Sequence, residues 1–206
     1  MNSLPWTGSA PEDCGDAVLV VGAGLAGLFL ALKLAPRPVV VLTPVPLGSG
    51  SASAWAQGGL AAALAPDDNP ALHAADTIAV GAGLVDPAVA QLLAEAGPAR
   101  VLDLLALGVP FDRSADGHLR QSLEAAHSRP RVARVSGDLA GKAIMEALIA
   151  ATRLASHIRV IEGLAARALL QDGQGRVRGL MCRNGAGTLT ALTAAEVVLA
   201  TGGVGG

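Results

Sequence analysis

The sequence predicts an α/β fold built on a central parallel sheet, and three observations carry that prediction. First, "AVLVVGAGLAGLFLALKLAPRPVVVLTP" sets continuous apolar runs, residues 17–21 and 39–42, on either side of a helical pattern. Strands apolar on both faces are what a parallel sheet covered on both sides requires. Second, a glycine turn, GAGLAG, joins the first run to the helix, and the whole unit has the length of a βαβ crossover, about 30 residues. Third, the C-terminal third carries short strand patterns separated by turn signals, which adds a β-meander. Together these describe a Rossmann-like domain with helices and an appended meander.

Each element has a local reason. Residues 17–21 form a strand because the run is apolar, β-branched and of strand length. Residues 25–34 form a helix that stops before Pro36, and 39–42 return as a second strand. Two helical patterns follow at 70–81 and 87–107, the second expected to break at Gly97-Pro98. Residues 108–135 are polar and irregular with short strand candidates, and 139–154 form a helix. The strand patterns "HIRVIEG", "AARALLQD", "RVRGLMCRN" and "TLTALTAAEVVLATGG" complete the chain, with a hairpin turn at 172–176, "DGQGR". The last pattern reads as a buried strand opening into a second glycine turn. Ligands sit at that edge of doubly wound sheets, so a chain ending there is expected to be a piece of a longer protein. The expected organisation is a flexible N-terminus, 1–15, followed by one cofactor-binding domain, 16–206.

Composition narrows the function. The chain is 51% hydrophobic, 16% charged and 2% aromatic, so it folds around Leu, Val and Ala. A net charge of -2 makes no electrostatic case for nucleic acid or an anionic membrane. Cys14 and Cys182 lack disulfide-framework or metal-site spacing, and the four His are scattered, so no metal is expected. Residues 1–16 have neither a basic start nor an apolar run, which argues against a signal peptide. Residues 17–32 are uncharged but too short for a comfortable membrane span, and they divide into strand, turn and helix. The expected location is the cytoplasm.

In GAGLAG, Gly22 allows a tight turn, Gly24 lets the backbone approach a pyrophosphate, and Gly27 permits close packing of helix on strand. Ala23, Leu25 and Ala26 complete the turn, and the helix N-terminus offers N–H groups and the positive end of a dipole. The second strand should end in an acid that holds ribose hydroxyls, yet it reads Val41-Leu42-Thr43-Pro44. Thr43 offers one hydroxyl instead. The missing acid weakens the case for a plain NAD-dependent dehydrogenase and leaves room for FAD, which is gripped at more points. The Gly- and Ser-rich segment "GSGSASAWAQGGLAA" then reads as a second clamp, because Trp55 can pack on a ring face and Gln57 can give and take hydrogen bonds.

The segments "VVGAGLAGL", "SASAWAQGGLAAAL", "HAADTIAVGAGLVD", "LGVPFDR", "LEAAHSRPRV", "GDLAGKAIMEAL" and "VVLATGG" occur in the order seen in L-aspartate oxidases, which the chain resembles from about Asp16 to its end. "AQGG" and "HS-R" mark the wider group of succinate dehydrogenase and fumarate reductase flavoproteins. The resemblance implies FAD held by Ala23 to Ala26 at the pyrophosphate. It also implies that Ala52, Ser53, Ala54, Trp55, Ala56, Gln57, Gly58 and Gly59 wrap the flavin. Ala165 and Ala166 would meet the adenine, and Thr201 and Gly202 would lie near the cofactor. Respiratory members carry a flavin-linked His five residues before the Gln of "AQGG"; here that residue is Ala52, so FAD is expected to be non-covalent. Glu124 is the candidate catalytic residue, facing the α-amino group of the substrate, with His127 and Arg129 beside it.

By the same resemblance the reaction is oxidation of L-aspartate to iminoaspartate, the first step of NAD synthesis, with oxygen or fumarate as acceptor. The substrate is a dicarboxylate or amino acid, and a functional link to quinolinate synthase follows. The family's base, arginine clamp and capping domain come after the "ATGG" turn, so this chain is expected to carry half a site. The chain departs from the family where "REGG" has become "LEAA", "DATG" has become "DLAG", and a Lys has become Pro44. Arg129, Arg131 and Arg134 read best as a basic surface loop. A fumarate reductase-like flavoprotein and an inactive FAD-binding remnant are the alternatives.

Overall fold

The computed structural model describes residues 12–203. In chain order the elements are β1 (Glu12–Asp13), β2 (Val18–Val21), α1 (Leu25–Lys33), β3 (Val39–Thr43), β4 (Leu60–Ala61), α2 (Pro70–Val80), α3 (Pro87–Ala106), β5 (Gln121–Ser122), β6 (Val132–Ala133), α4 (Ala140–Leu154), β7 (Ile158–Glu162), β8 (Leu164–Gln171), β9 (Val177–Asn184), β10 (Leu189–Thr193) and β11 (Glu196–Leu199). They fall into two compact units: residues 12–53 with 148–203, and residues 54–147.

The first unit is organised by a parallel sheet in the order β11-β2-β3-β7. Every residue of β2 and β3 is buried, as their unbroken apolar runs require. Strand side chains alternate between faces. Leu19, Val21, Val40 and Leu42 pack against Leu180, Cys182 and Leu192 of a second sheet, β1-β10-β9-β8. The expected meander thus covers one face of the parallel sheet. Helix α1, with Leu28 and Ala31 fully buried, packs on β2 and β3. The hairpin at 172–176 forms as expected: Asp172 accepts from the N–H of Gln174 and Arg176 at 2.9 and 3.0 Å, and Gly175 takes φ +77°.

In the second unit α2 packs on α3 through Ala74, Ala90 and Ala94, with Ile78 and Val85 against them. Asn69 and Asp86 cap the two helices, and each helix opens with a proline, which needs no N–H donor there. A small antiparallel sheet, β4-β6-β5, completes the unit.

Three expectations change. The break at Gly97-Pro98 does not occur, and α3 runs through Pro98. Burial of Ala90 and Ala94 before it and Val101 and Leu104 after it outweighs the proline's cost, about 3 kcal/mol. The last strand, β11, is not buried. Among the described residues it lies at the edge of the parallel sheet, partly exposed, because only β2 pairs with it. Of the N-terminus expected to be flexible, residues 1–11 lie outside the described residues. Glu12 and Asp13 pair with Leu192 and Thr193, because a strand added beside β10 satisfies backbone groups there.

Candidate functional site

β2 delivers the chain into the GAGLAG turn, and its three glycines have different reasons to be there. Gly22 sits at φ +112°, and a Cβ on it would lie 2.2 Å from the carbonyl oxygen of Ala200. A Cβ on Gly27 would lie 1.9 Å from the carbonyl oxygen of Gly22. The packing of the protein itself demands both. A Cβ on Gly24 would only approach the hydroxyls of Ser51 and Ser53, at 3.3 and 3.5 Å. Gly24 therefore keeps open a surface, and that surface is a cavity of about 470 Å³.

Gly22, Ala23, Gly24, Leu25 and Ala26 form one wall of this cavity. Thr43, residues 49–53, Thr201 and Gly202 form the others. Among the described residues no charged side chain lines it. The first turn of α1 holds no acid, so the positive end of the helix dipole is uncompensated. The Leu25 N–H donates to Ser53 Oγ at 3.2 Å, and Ser51 Oγ in turn accepts from Ser53 N–H at 3.2 Å. The Gly- and Ser-rich segment thus closes on the helix start through its serines, and Ser51 was missed by sequence reasoning although "SGSAS" advertises paired hydroxyls.

A second cavity, about 360 Å³, shares Gly22, Pro44, Leu199 and Thr201 with the first. Ala165, Ala166 and Arg167 of β8 line it, with the apolar Val21, Leu42 and Leu180. A β-bulge between Ala166 and Ala168 leaves Arg167 without a ladder partner, which frees backbone groups at the cavity. Among the described residues Arg167 is the one charged residue on either cavity, and it makes no ion pair.

Thr43 is buried, and its hydroxyl donates to the carbonyl of Val45 at 3.0 Å. The acid absent from the end of β3 has a neighbour on the adjacent strand: Glu162, paired in register with Thr43, accepts from the Leu47 N–H at 2.7 Å and ties down the loop after β3. An acid ending the strand pattern "HIRVIEG" was the available signal. Uncharged, backbone-lined space at a helix start suits a pyrophosphate, and the adjoining apolar slot suits a flat base.

Of the remaining sequence-predicted residues, Ala52 ends the first unit with Ser53, and the others belong to the second. Residues Ala52–Trp55 form a short 3-10 turn. Trp55 is 83% exposed. The Ala56 carbonyl accepts from Gly141 N–H at 3.1 Å. Gln57 and Gly58 are exposed. Gly59 is needed for close approach, since a Cβ there would lie 2.3 Å from the Ala133 carbonyl oxygen.

Glu124 is about one-third exposed and forms an ion pair with Arg134. The surface-loop reading holds for Arg129, which is exposed, and fails for Arg131, which is completely buried. Arg131 donates to both oxygens of Asp68, at 2.9 and 2.8 Å, and also to Asp76. Hydrogen bonds from Ser128, with the Arg131 guanidinium, pull the Asp76 carboxyl down to about 2 against the opposing effect of burial. Sequence reasoning missed Asp68 and Asp76. They stand 63 and 55 residues before Arg131, so no local pattern joins them to it.

The first unit thus has the fold of a dinucleotide-binding α/β domain, with a cavity at its glycine turn. A family model described as an FAD binding domain matches residues 17–206. The chain belongs to this family of FAD-binding domains, and the cofactor it implies is FAD. It is 58% identical to the L-aspartate oxidase of Caulobacter vibrioides over 194 residues, which are 93% of this chain and 38% of that protein. It is 47% identical to the L-aspartate oxidase of Mesorhizobium japonicum, over 93% of this chain and 37% of that protein. The chain therefore spans a little over a third of the curated relatives it matches. Among solved structures, Mycobacterium smegmatis Sdh1 superposes with a TM-score of 0.85 at 32% identity, over 94% of this chain and 35% of that one. A quinol fumarate reductase subunit of E. coli superposes with a TM-score of 0.85 at 27% identity, over 94% and 34%. No helix among the described residues is long and apolar enough to cross a membrane.

Proposed function

We propose that the protein carrying this chain oxidises L-aspartate to iminoaspartate with non-covalent FAD. The observation that carries this reading is the paired cavity, joined to 58% identity with an L-aspartate oxidase. In this reading Gly22 to Ala26 and Ser53 hold the pyrophosphate, and Ala165 and Ala166 meet the adenine. Thr43, Thr201 and Gly202 border the cofactor, and the segment from Ala52 to Gly59 wraps its flavin end. Ala52 has no ring nitrogen and cannot form a histidyl link. FAD supplies the acceptor for the hydride that leaves the substrate's Cα. Glu124 takes the substrate's ammonium group, which selects an amino acid over a plain dicarboxylate. Oxygen or fumarate would reoxidise the cofactor. Iminoaspartate is unstable in water, which suits a functional link to quinolinate synthase. Both cysteines are free thiols, in keeping with the cytoplasm.

A second reading, reduction of a plain dicarboxylate such as fumarate, draws on one observation. Arg134 already pairs with Glu124, which offsets the negative charge an ammonium group would meet. The test is a visible spectrum of the FAD-loaded protein before and after anaerobic L-aspartate or succinate. Bleaching by aspartate alone supports the oxidase, bleaching by succinate alone supports the second reading, and a flavin that survives acid precipitation on the protein sinks the non-covalent assignment.

A further inference from the structure

The turn that carries Glu124 is braced by a set of side chains that line neither cavity of the first unit. His127 N–H donates to the Glu124 carbonyl at 3.2 Å, so the two residues close one tight turn, with Ala126 at φ +69°. Arg131 Nη1 lies 3.2 Å from His127 Nδ1. A guanidinium has five N–H donors and no acceptor. Nδ1 must therefore accept, and the proton of the neutral imidazole sits on Nε2. Arg131 cannot turn away, because Asp68 takes its Nε and Nη2 and Asp76 takes Nη1. Asp76 also accepts from the N–H and hydroxyl of Ser128, at 2.7 and 2.8 Å, which anchors the residue next to His127. The His73 ring stands 5.7 Å from the His127 ring, with its buried Nδ1 unpartnered among the described residues. Sinking an arginine and a carboxylate wholly out of water carries a desolvation cost before their attraction is counted, and a loop that only covers a surface needs neither.

We propose that Arg131 is a positioning residue that fixes His127 as an Nε2–H donor, and that this donor binds a carboxylate of the substrate whose ammonium group Glu124 takes. The proposal rests on the aspartate reading above. An amino acid presents a cation and an anion a few bonds apart, and a turn offering a carboxylate at one end and an N–H donor at the other is complementary to both. The opposite tautomer would turn a lone pair toward the substrate's carboxylate and repel it.

The tautomer is read directly from ring-nitrogen correlation spectra of the 15N-labelled, FAD-loaded protein, with the His127 signals assigned by their loss in His127→Gln. The expected result is the Nε2–H pattern in the parent and a tautomer mixture in Arg131→Met. Should Arg131→Met fail to fold, the half-buried position itself is probed: His127→Ala raises KM for L-aspartate about tenfold or more, the worth of one charge-assisted hydrogen bond, with a smaller change in kcat. His127→Gln, which keeps an N–H donor, recovers most of that loss. An Nδ1–H pattern in the parent, or an unchanged KM in His127→Ala, overturns the proposal. If the parent ignores aspartate altogether, the functional reading and the substrate role of His127 fall together, while the tautomer result still decides what Arg131 does.

Discussion

The glycine turn of the first unit and the 124–134 segment of the second are built from opposite materials. The first is backbone: small residues, a helix start, two serine hydroxyls and no charge on the cavity wall. The second is side chain: an ion pair at Glu124 and Arg134, and a buried arginine held by two aspartates. The difference teaches how each tolerates change. A backbone site depends on the absence of atoms, so adding one methyl can close it. A side-chain site depends on complete partnership, so removing one member leaves the others uncompensated.

The comparison breaks most visibly at the first region. Gly22→Ala should abolish a stable fold, because its Cβ would overlap the Ala200 carbonyl at a φ that alanine resists. Gly24→Ala, two residues further, meets only serine hydroxyls at 3.3 Å or more, so cooperative melting should persist while FAD affinity falls about tenfold or more. Thermal melts and flavin fluorescence titrations of the two variants separate packing from binding. If both lose the fold, Gly24 serves structure as the other two glycines do.

Next in size is the second region. Arg131→Met should cost about 3–5 kcal/mol in urea unfolding by leaving Asp68 and Asp76 without their cation. Asp68→Asn and Asp76→Asn added together should return much of that loss. The same network gives a pH signature. Asp76 has a folded-state value depressed to about 2, so its stabilisation is complete above the ordinary Asp range and is lost as pH falls from about 4 toward 2. Asp76→Asn should flatten that acid limb, and an unchanged limb would show that other carboxyls govern it.

The smallest effect sharpens the contrast within the 124–134 segment. Ala126 adopts φ +69°, a conformation costing a non-glycine residue about 1 kcal/mol. Ala126→Gly should raise the melting temperature by a few degrees at most, offset in part by the freer unfolded chain. A lower melting temperature would mean the methyl group packs.

The same division explains what the sequence disclosed. The βαβ unit, the meander and the 172–176 turn were legible because each is specified by neighbours within a few residues. The glycine spacing of Gly22, Gly24 and Gly27 marked the turn that borders the cavity, though not that Gly22 is also demanded by Ala200. Pro98 misled because tertiary burial along α3 overrode a local breaker. β11 misled because its apolar composition says nothing of which strands flank it. Arg131 was invisible as a buried group because its partners lie more than 50 residues away.

One feature bears on when, rather than where, the cofactor can be held. Gly22 is synthesised well before the wall it packs against, Ala200, and before β11, one of the two strands that pair with β2. At ribosomal speeds of about 5–20 residues per second, the turn waits roughly ten to thirty seconds for its counterpart. Residues 54–147 are contiguous and can close on themselves during that interval. FAD capture then waits for Ala200 to emerge, and a ribosome that stalls before it leaves a nascent chain with the glycine turn in place and no wall against it.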